Sequence, residues 1–404
     1  MSDFALRVER GQSVTLSDVD GDLVLEGGVV VPAAGVVTVR GDVHVRQRSV
    51  VKGSLEAESV MGDGDLQVEG DFEAEEVRLG DGASLEVRGN LKSESVDVPN
   101  QLEVGGRTDV SDMRVGGTAI LSGEAAAENV KVGGTLKASS TLKAEDVKVG
   151  GTLEVKALVC EDVTVGGSLK AETIDAEGVK VGGTAQITGE TRIEDLVVGG
   201  TAEVGSGTIE DARVGGTLSS SGGISFEDVD VGGRVSLASG KGGSISVGGT
   251  LEVSRDLVLD EDLDVGGTVK IGGDLKAEDI SVGGGLEAAS ALAEGKLETG
   301  RDLLTIRGSK AEDVEIGRRG KVKGPIVGGR VRIRDNAIAE DIHAEDLWLG
   351  DKCSARDIYI RRGEIGNGCV VSGRVLYTEA LRLGRGVSLT IQPEKVTELP
   401  NPPL

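Results

Sequence analysis

Val132-Gly-Gly-Thr-Leu-Lys-Ala-Ser-Ser-Thr-Leu-Lys-Ala-Glu-Asp-Val-Lys148 is one period of the chain, and Val149-Gly-Gly-Thr-Leu153 begins the next. Three patches inside this period alternate apolar with polar residues: Thr135 to Ala138, Thr141 to Ala144, and Val147 to Val149. Alternation at period two marks strands with one buried face, and each patch is too short to be a helix. Gly-Gly or Glu-Asp interrupts each one. A unit of this kind cannot bury its own apolar face, so it must stack on copies of itself.

Val-Gly-Gly recurs at Val115, Val132, Val149, Val165, Val181, Val198, Val214, Val231, Val247, Val265 and Val282, in steps of 16 to 18 residues. The register continues back through Val98, Leu79 and Met61. It continues forward through Thr299, Ile316, Ile333, Leu349, Ile365 and Leu383. The mean period is near 17, and Thr299 is the one polar residue among the twenty anchors. The expected fold is all-β: a single-stranded parallel β-helix of triangular cross-section with about twenty or more turns. A left-handed hexapeptide solenoid keeps a strict 18-residue turn; the variable step here favours the right-handed form. The expected organisation is an N-terminal segment with less regular turns (1–44), a continuous β-helix (45–391) and a Pro-rich tail (392–404), extended and mobile.

Composition agrees with a long, thin interior. Of 404 residues 38% are hydrophobic but only 1% aromatic, and rings are what a conventional core of this size would use. The formal charge of −25 argues against nucleic acid as a partner, because phosphate binding needs clustered Lys and Arg. Three cysteines make no disulfide framework and indicate a reducing compartment. Residues 1–10 show no signal-peptide pattern, and the longest nearly apolar run, residues 27–37, is about half the ~20 residues of a membrane helix. A cytoplasmic protein is expected.

The recurring residues suggest roles. The paired glycines fit corners where positive φ is needed, rather than a phosphate-cradling loop, since no helix follows them. Glu-Asp recurs before the anchors, as at Glu145-Asp146, Glu161-Asp162, Glu227-Asp228 and Glu345-Asp346, and stacking would align these into acidic ladders. A solvated corner is the plainer reading, and a ladder of divalent cations the sharper one. Cys353 and Cys369 occupy matching contexts 16 residues apart and should be stacked, as small apolar filler. Two histidines, His44 and His343, give little footing for a triad or a zinc site. No catalytic, cofactor-binding or metal residue is expected. Residues 301–404 carry 18 Lys and Arg against 15 Asp and Glu, a net of +3. The densest basic stretch, Arg318, Arg319, Lys321, Lys323, Arg330, Arg332 and Arg334, is either a solvated face or a contact patch for an acidic neighbour or an anionic membrane surface.

The turns Val-x-Val-Gly-Gly-Thr-Leu-x-Ala and Ala-Glu-Asp-Val-x-Val, as in residues 144–155, resemble those of the bactofilins, polymer-forming cytoskeletal β-helix proteins. The resemblance covers about residues 45–391. It implies nucleotide-independent end-to-end filaments that scaffold cell shape or other proteins, including membrane-associated ones, at the inner face of the membrane. The family's short hydrophobic membrane-targeting segment is not evident in residues 1–10. Independently, a solenoid ends in unpaired strand edges that must be capped or joined to another chain. The candidate polymerisation surfaces are Leu23, Val24, Leu25, Val29, Val30 and Val31 at one end. At the other they are Leu376, Leu381, Leu383, Val387, Leu389 and Ile391. The Pro-rich tail is the candidate cap. The partner expected is the chain itself; the alternative is a non-polymerising rod acting as a spacer or binding scaffold.

Overall fold

The structure, a computed structural model, describes residues 5–403; residues 1–4 and Leu404, parts of the N-terminal segment and the tail, lie outside these. The described residues are all strand, turn and loop. They form a β-solenoid of about 23 parallel coils about 17 residues apart. The chain divides into two compact units, Met1–Gly199 and Gly200–Leu404.

In the first unit a typical coil contributes the strands Thr118–Leu121 and Ala125–Val132, the latter bent at Glu128 into two segments. Each segment pairs in parallel with its equivalent one coil on: Leu102 with Ala119, Ala119 with Leu136, and Leu136 with Leu153. Inward positions therefore form columns of like residues. The anchor valines Val98, Val115, Val132, Val149, Val165 and Val181 are one such column, all buried. The stacking begins earlier than the sequence ladder suggests: Leu6–Glu9 pairs with Leu23–Glu26, and Ser13–Leu16 with Val29–Pro32. The first unit's early coils are irregular because Leu23 meets Val43, a 20-residue step, with register shifts at Leu25/Glu26 and Val39/Asp42.

The second unit repeats the plan. Val235, Leu251, Val269, Leu286 and Leu303 form one inward column. Phe226, one of the few rings, fits inside because its partner one coil on is Gly242, where a Cβ would lie 2.3 Å from the ring. Thr299 occupies the anchor column between Val282 and Ile316, buried, with no hydrogen-bond partner for its hydroxyl among the described residues.

The Val-Gly-Gly corners carry glycine for a reason other than positive φ. None of the repeat glycines lies in the left-handed region. Their requirement is close approach: a Cβ on Gly133 would stand 2.2 Å from the Gly116 carbonyl oxygen, and one on Gly150 would stand 2.2 Å from that of Gly133. The same corners hydrogen-bond coil to coil, Gly150 N donating to Val132 O at 2.9 Å and Gly151 N to Gly134 O at 3.0 Å. Positive φ occurs elsewhere, as at Gly35, where a Cβ would meet nothing within 4 Å.

Gly150→Ala is accordingly expected to cost about 2–3 kcal/mol through backbone overpacking. Gly35→Ala should cost only about 1 kcal/mol through its backbone conformation. Thermal melts by circular dichroism rank the two; equal losses would show that close approach is not what the corners require.

Candidate functional site: an outward apolar column under the tail

Outward positions also stack into columns, and their chemistry changes along the chain. In the first unit one outward column runs Glu73, Lys92, Asp109, Ala126, Lys143, Val159, Asp175 and Arg192, mixed and mostly charged. The equivalent column of the second unit passes through Lys276, Leu292 and Lys310, then Val327, His343, Tyr359 and Leu376. Its last four members are uncharged or aromatic where the fold calls for solvated side chains.

The C-terminal tail explains how this is tolerated. Glu394–Lys395 adds a short strand against Leu376 and Tyr377. Beyond it the chain runs back along the side of its own unit. A cleft of about 630 Å³ has Val327, His343 and Tyr359 on its floor and Leu399, Pro400 and Pro402 on its cover. Within the exposed tail Pro393, Val396 and Leu399 are half-buried. Glu394–Lys395 is strand and the chain bends at Thr397–Glu398, which brings Leu399, Pro400 and Pro402 onto the cleft. The tail is thus docked along a side face.

Polar geometry reinforces the floor. The His343 and Tyr359 rings stack with centroids 4.6 Å apart. Arg374 donates from Nη2 to the Tyr359 hydroxyl at 2.8 Å, its guanidinium 5.6 Å from the ring centroid. Tyr359 is only 7% exposed although it points outward. Burial pushes His343 below its ordinary value of 6.5, against the opposing pull of the Asp341 and Asp357 carboxylates.

The residues singled out in the sequence fall in several places. Leu23, Val24, Leu25 and Val30 are buried one coil in from the outermost described coil, with Val29 and Val31 half-buried. At the other end Leu383 and Ile391 are 46% and 49% exposed, and Leu376, Leu381, Val387 and Leu389 half-buried. The basic stretch is dispersed and partly neutralised. Arg330 pairs with Asp313, Arg334 with Glu315 and Arg318 with Asp335. Arg332 stands over the Trp348 ring at 5.9 Å, and Lys323 lies on a different face, beside Leu304. Arg319 sits on a turn with positive φ, and Lys321 bridges to Ile338.

The acidic ladder is broken rather than continuous. In the first unit its column reads Asp112, Asn129, Asp146, Asp162, Gly178 and Asp195. Toward the end of the second unit it alternates in sign: Lys296, Asp313, Arg330, Asp346 and Arg362. Repulsion between coils is thereby relieved where a neutral residue or an ion pair intervenes, while Asp146 and Asp162 remain direct neighbours. Cys353 stacks beside Cys369 through the Ser354–Val370 pairing, each thiol donating to a backbone carbonyl at 3.2 and 3.0 Å respectively. Burial pushes Cys160 up to about 12 and Cys353 up to about 11, which keeps both thiols protonated.

No family model, curated protein or solved structure matched the chain.

The docked tail should respond to pH through His343. Its neutral form is favoured when covered, so docking is at full strength above about 6.5 and weakens as pH falls through that value toward the lowered one. A fluorophore placed by Glu398→Cys, the native thiols being buried, should lose anisotropy between pH 7.5 and 5.5. His343→Gln should flatten that response, and a native response that is already flat would dissociate His343 from docking.

Proposed function

We propose that this chain is a structural, non-enzymatic protein, a bactofilin-like cytoskeletal β-solenoid that associates end to end into nucleotide-independent filaments and scaffolds cell shape or other proteins. The observation that carries the reading is the last coil of the second unit. Leu383 and Ile391 stand about half exposed there, beside half-buried Leu381, Val387 and Leu389, while the tail leaves this coil along the side. Apolar side chains beside a strand edge with no partner among the described residues favour pairing with another chain. Ser388–Leu389 and Glu394–Lys395 are the last strands in the stack.

Other features support the same reading. The carboxylates and arginines near one another form ion pairs across coils, as Arg356 with Asp341 and Arg362 with Asp346, which stiffens a surface rather than poising an acid and a base. The chain's own copies are the primary partner. Arg318, Arg332 and Arg334, gathered beside Trp348, offer a secondary contact to acidic proteins or to an anionic membrane surface. A cytoplasmic location, at or near the membrane's inner face, follows from this reading.

Negative-stain microscopy of the purified chain is expected to show filaments, and Leu383→Glu with Ile391→Glu should shorten or abolish them without changing the far-ultraviolet spectrum. Single rods from the native chain would favour the non-polymerising scaffold instead. Native-length filaments from the double variant would exclude this end coil as the joint.

A further inference from the structure

The column Val327, His343, Tyr359 and Leu376 is a receptor surface on the side of the second unit, and the segment seated on it belongs to the same chain. The seat is shallow. Only Pro393, Val396 and Leu399 of the tail are half-buried, two residues pair as strand, and a cleft remains between tail and floor. Gln392, where the tail leaves the end coil, is exposed. An element held by a few side chains at the end of an exposed connection can be exchanged between identical copies at little cost, because every contact made in cis is remade in trans.

We infer that the cleft is a docking site for residues 393–403 of a second copy, and that exchange of these tails joins copies side by side. The occupant's chemistry is read from the tail itself: a short strand, a bend at Thr397–Glu398, and then the proline-rich stretch Leu399 to Pro402 laid on a floor with two rings. That pairing of a proline-rich segment with ring faces is a general mode of peptide recognition. Two further details of the floor fit it. Val327-Gly328-Gly329 repeats the corner phrase out of phase with the anchors Ile316 and Ile333, placing two residues without side chains beside the cleft. Arg374 fixes the Tyr359 ring by its hydroxyl, so the face stays presented when the cover leaves. Docking in cis is the resting arrangement, since a tethered segment competes at high effective concentration. Exchange therefore becomes appreciable where copies are crowded side by side, a contact that uses neither Leu383 nor Ile391.

The test uses two full-length variants, both carrying Leu383→Glu and Ile391→Glu so that end-to-end association is removed. One adds Val396→Asp and Leu399→Asp, which release the tail and open the cleft. The other adds Val327→Asp, which blocks the cleft and frees an intact tail. Each alone should run as a monomer in light scattering after size exclusion, and their mixture should give a one-to-one complex. A labelled peptide of residues 392–404 should bind the tail-substituted copy at least about 10-fold more tightly than a copy with its native tail. This arm touches no core position, so it stands whether or not Val327→Asp folds. The inference is overturned by a peptide that binds the two copies alike, or no better than its scrambled sequence. It is overturned equally by a peptide that binds while a folded pair of variants stays monomeric.

Discussion

Coils in a parallel stack approach to about 4.8 Å, and at the corners that spacing leaves room for backbone alone. The glycine pairs meet this constraint. With a Cβ 2.2 Å from the carbonyl of the preceding coil, any larger residue at Gly133, Gly150 or Gly166 would force the coils apart. It would also break the hydrogen bonds that the same corners donate. Everything else depends on that approach. Because the corners stack in register, each inward side chain meets its equivalent one coil away, and the interior sorts into columns of valine, leucine and alanine rather than one mixed core. A large ring is admitted only where the next coil gives way, as Gly242 does to Phe226. Stability is then a sum of neighbour-to-neighbour terms, with little at one coil felt many coils away.

The same register imposes a rule on the surface. A residue type repeated at an outward position becomes a column of itself, so a repeated carboxylate would be a line of like charges. The chain avoids this by breaking the line with Asn129 and Gly178 in the first unit and by alternating Asp313, Arg330, Asp346 and Arg362 in the second. Each such exposed pair contributes little, about 0–1 kcal/mol. Its larger effect is to remove a repulsion that stacking would otherwise create.

The period, the parallel stacking and the aliphatic interior were all legible in residues 132–149, because each follows from spacing and alternation within one turn. The purpose of the glycines was not, since close approach is a relation between coils and leaves the same mark in the sequence as a positive-φ corner. The early coils were hidden for a similar reason. The 20-residue step from Leu23 to Val43 carries register shifts, and a ladder read at fixed spacing loses its place there. The tail site left two signals. Val327-Gly-Gly falls out of phase with the anchors, and Val327, His343, Tyr359 and Leu376 follow one another without a charge in an outward register that elsewhere is mostly charged. Neither signal says what covers the column. Residues 393–403 look like any proline-rich tail until the face they lie on is known.

A solenoid has two kinds of unsatisfied surface, and they differ in what satisfies them. The outer edge of a terminal coil presents a row of backbone donors and acceptors, which only another strand or a polar cap can match. An outward apolar column presents side chains above a backbone already fully paired, so it needs contact area and no hydrogen-bond register. In the second unit the end coil keeps Leu383 and Ile391 exposed, and the side column is covered by a segment with three apolar residues and several prolines. The covering segment suits the surface it covers: proline removes the donors that an edge would demand and costs nothing on a side face. Beyond Glu394–Lys395, which pairs with Leu376 and Tyr377, the tail is therefore chemically matched to the side of the solenoid rather than to a strand edge.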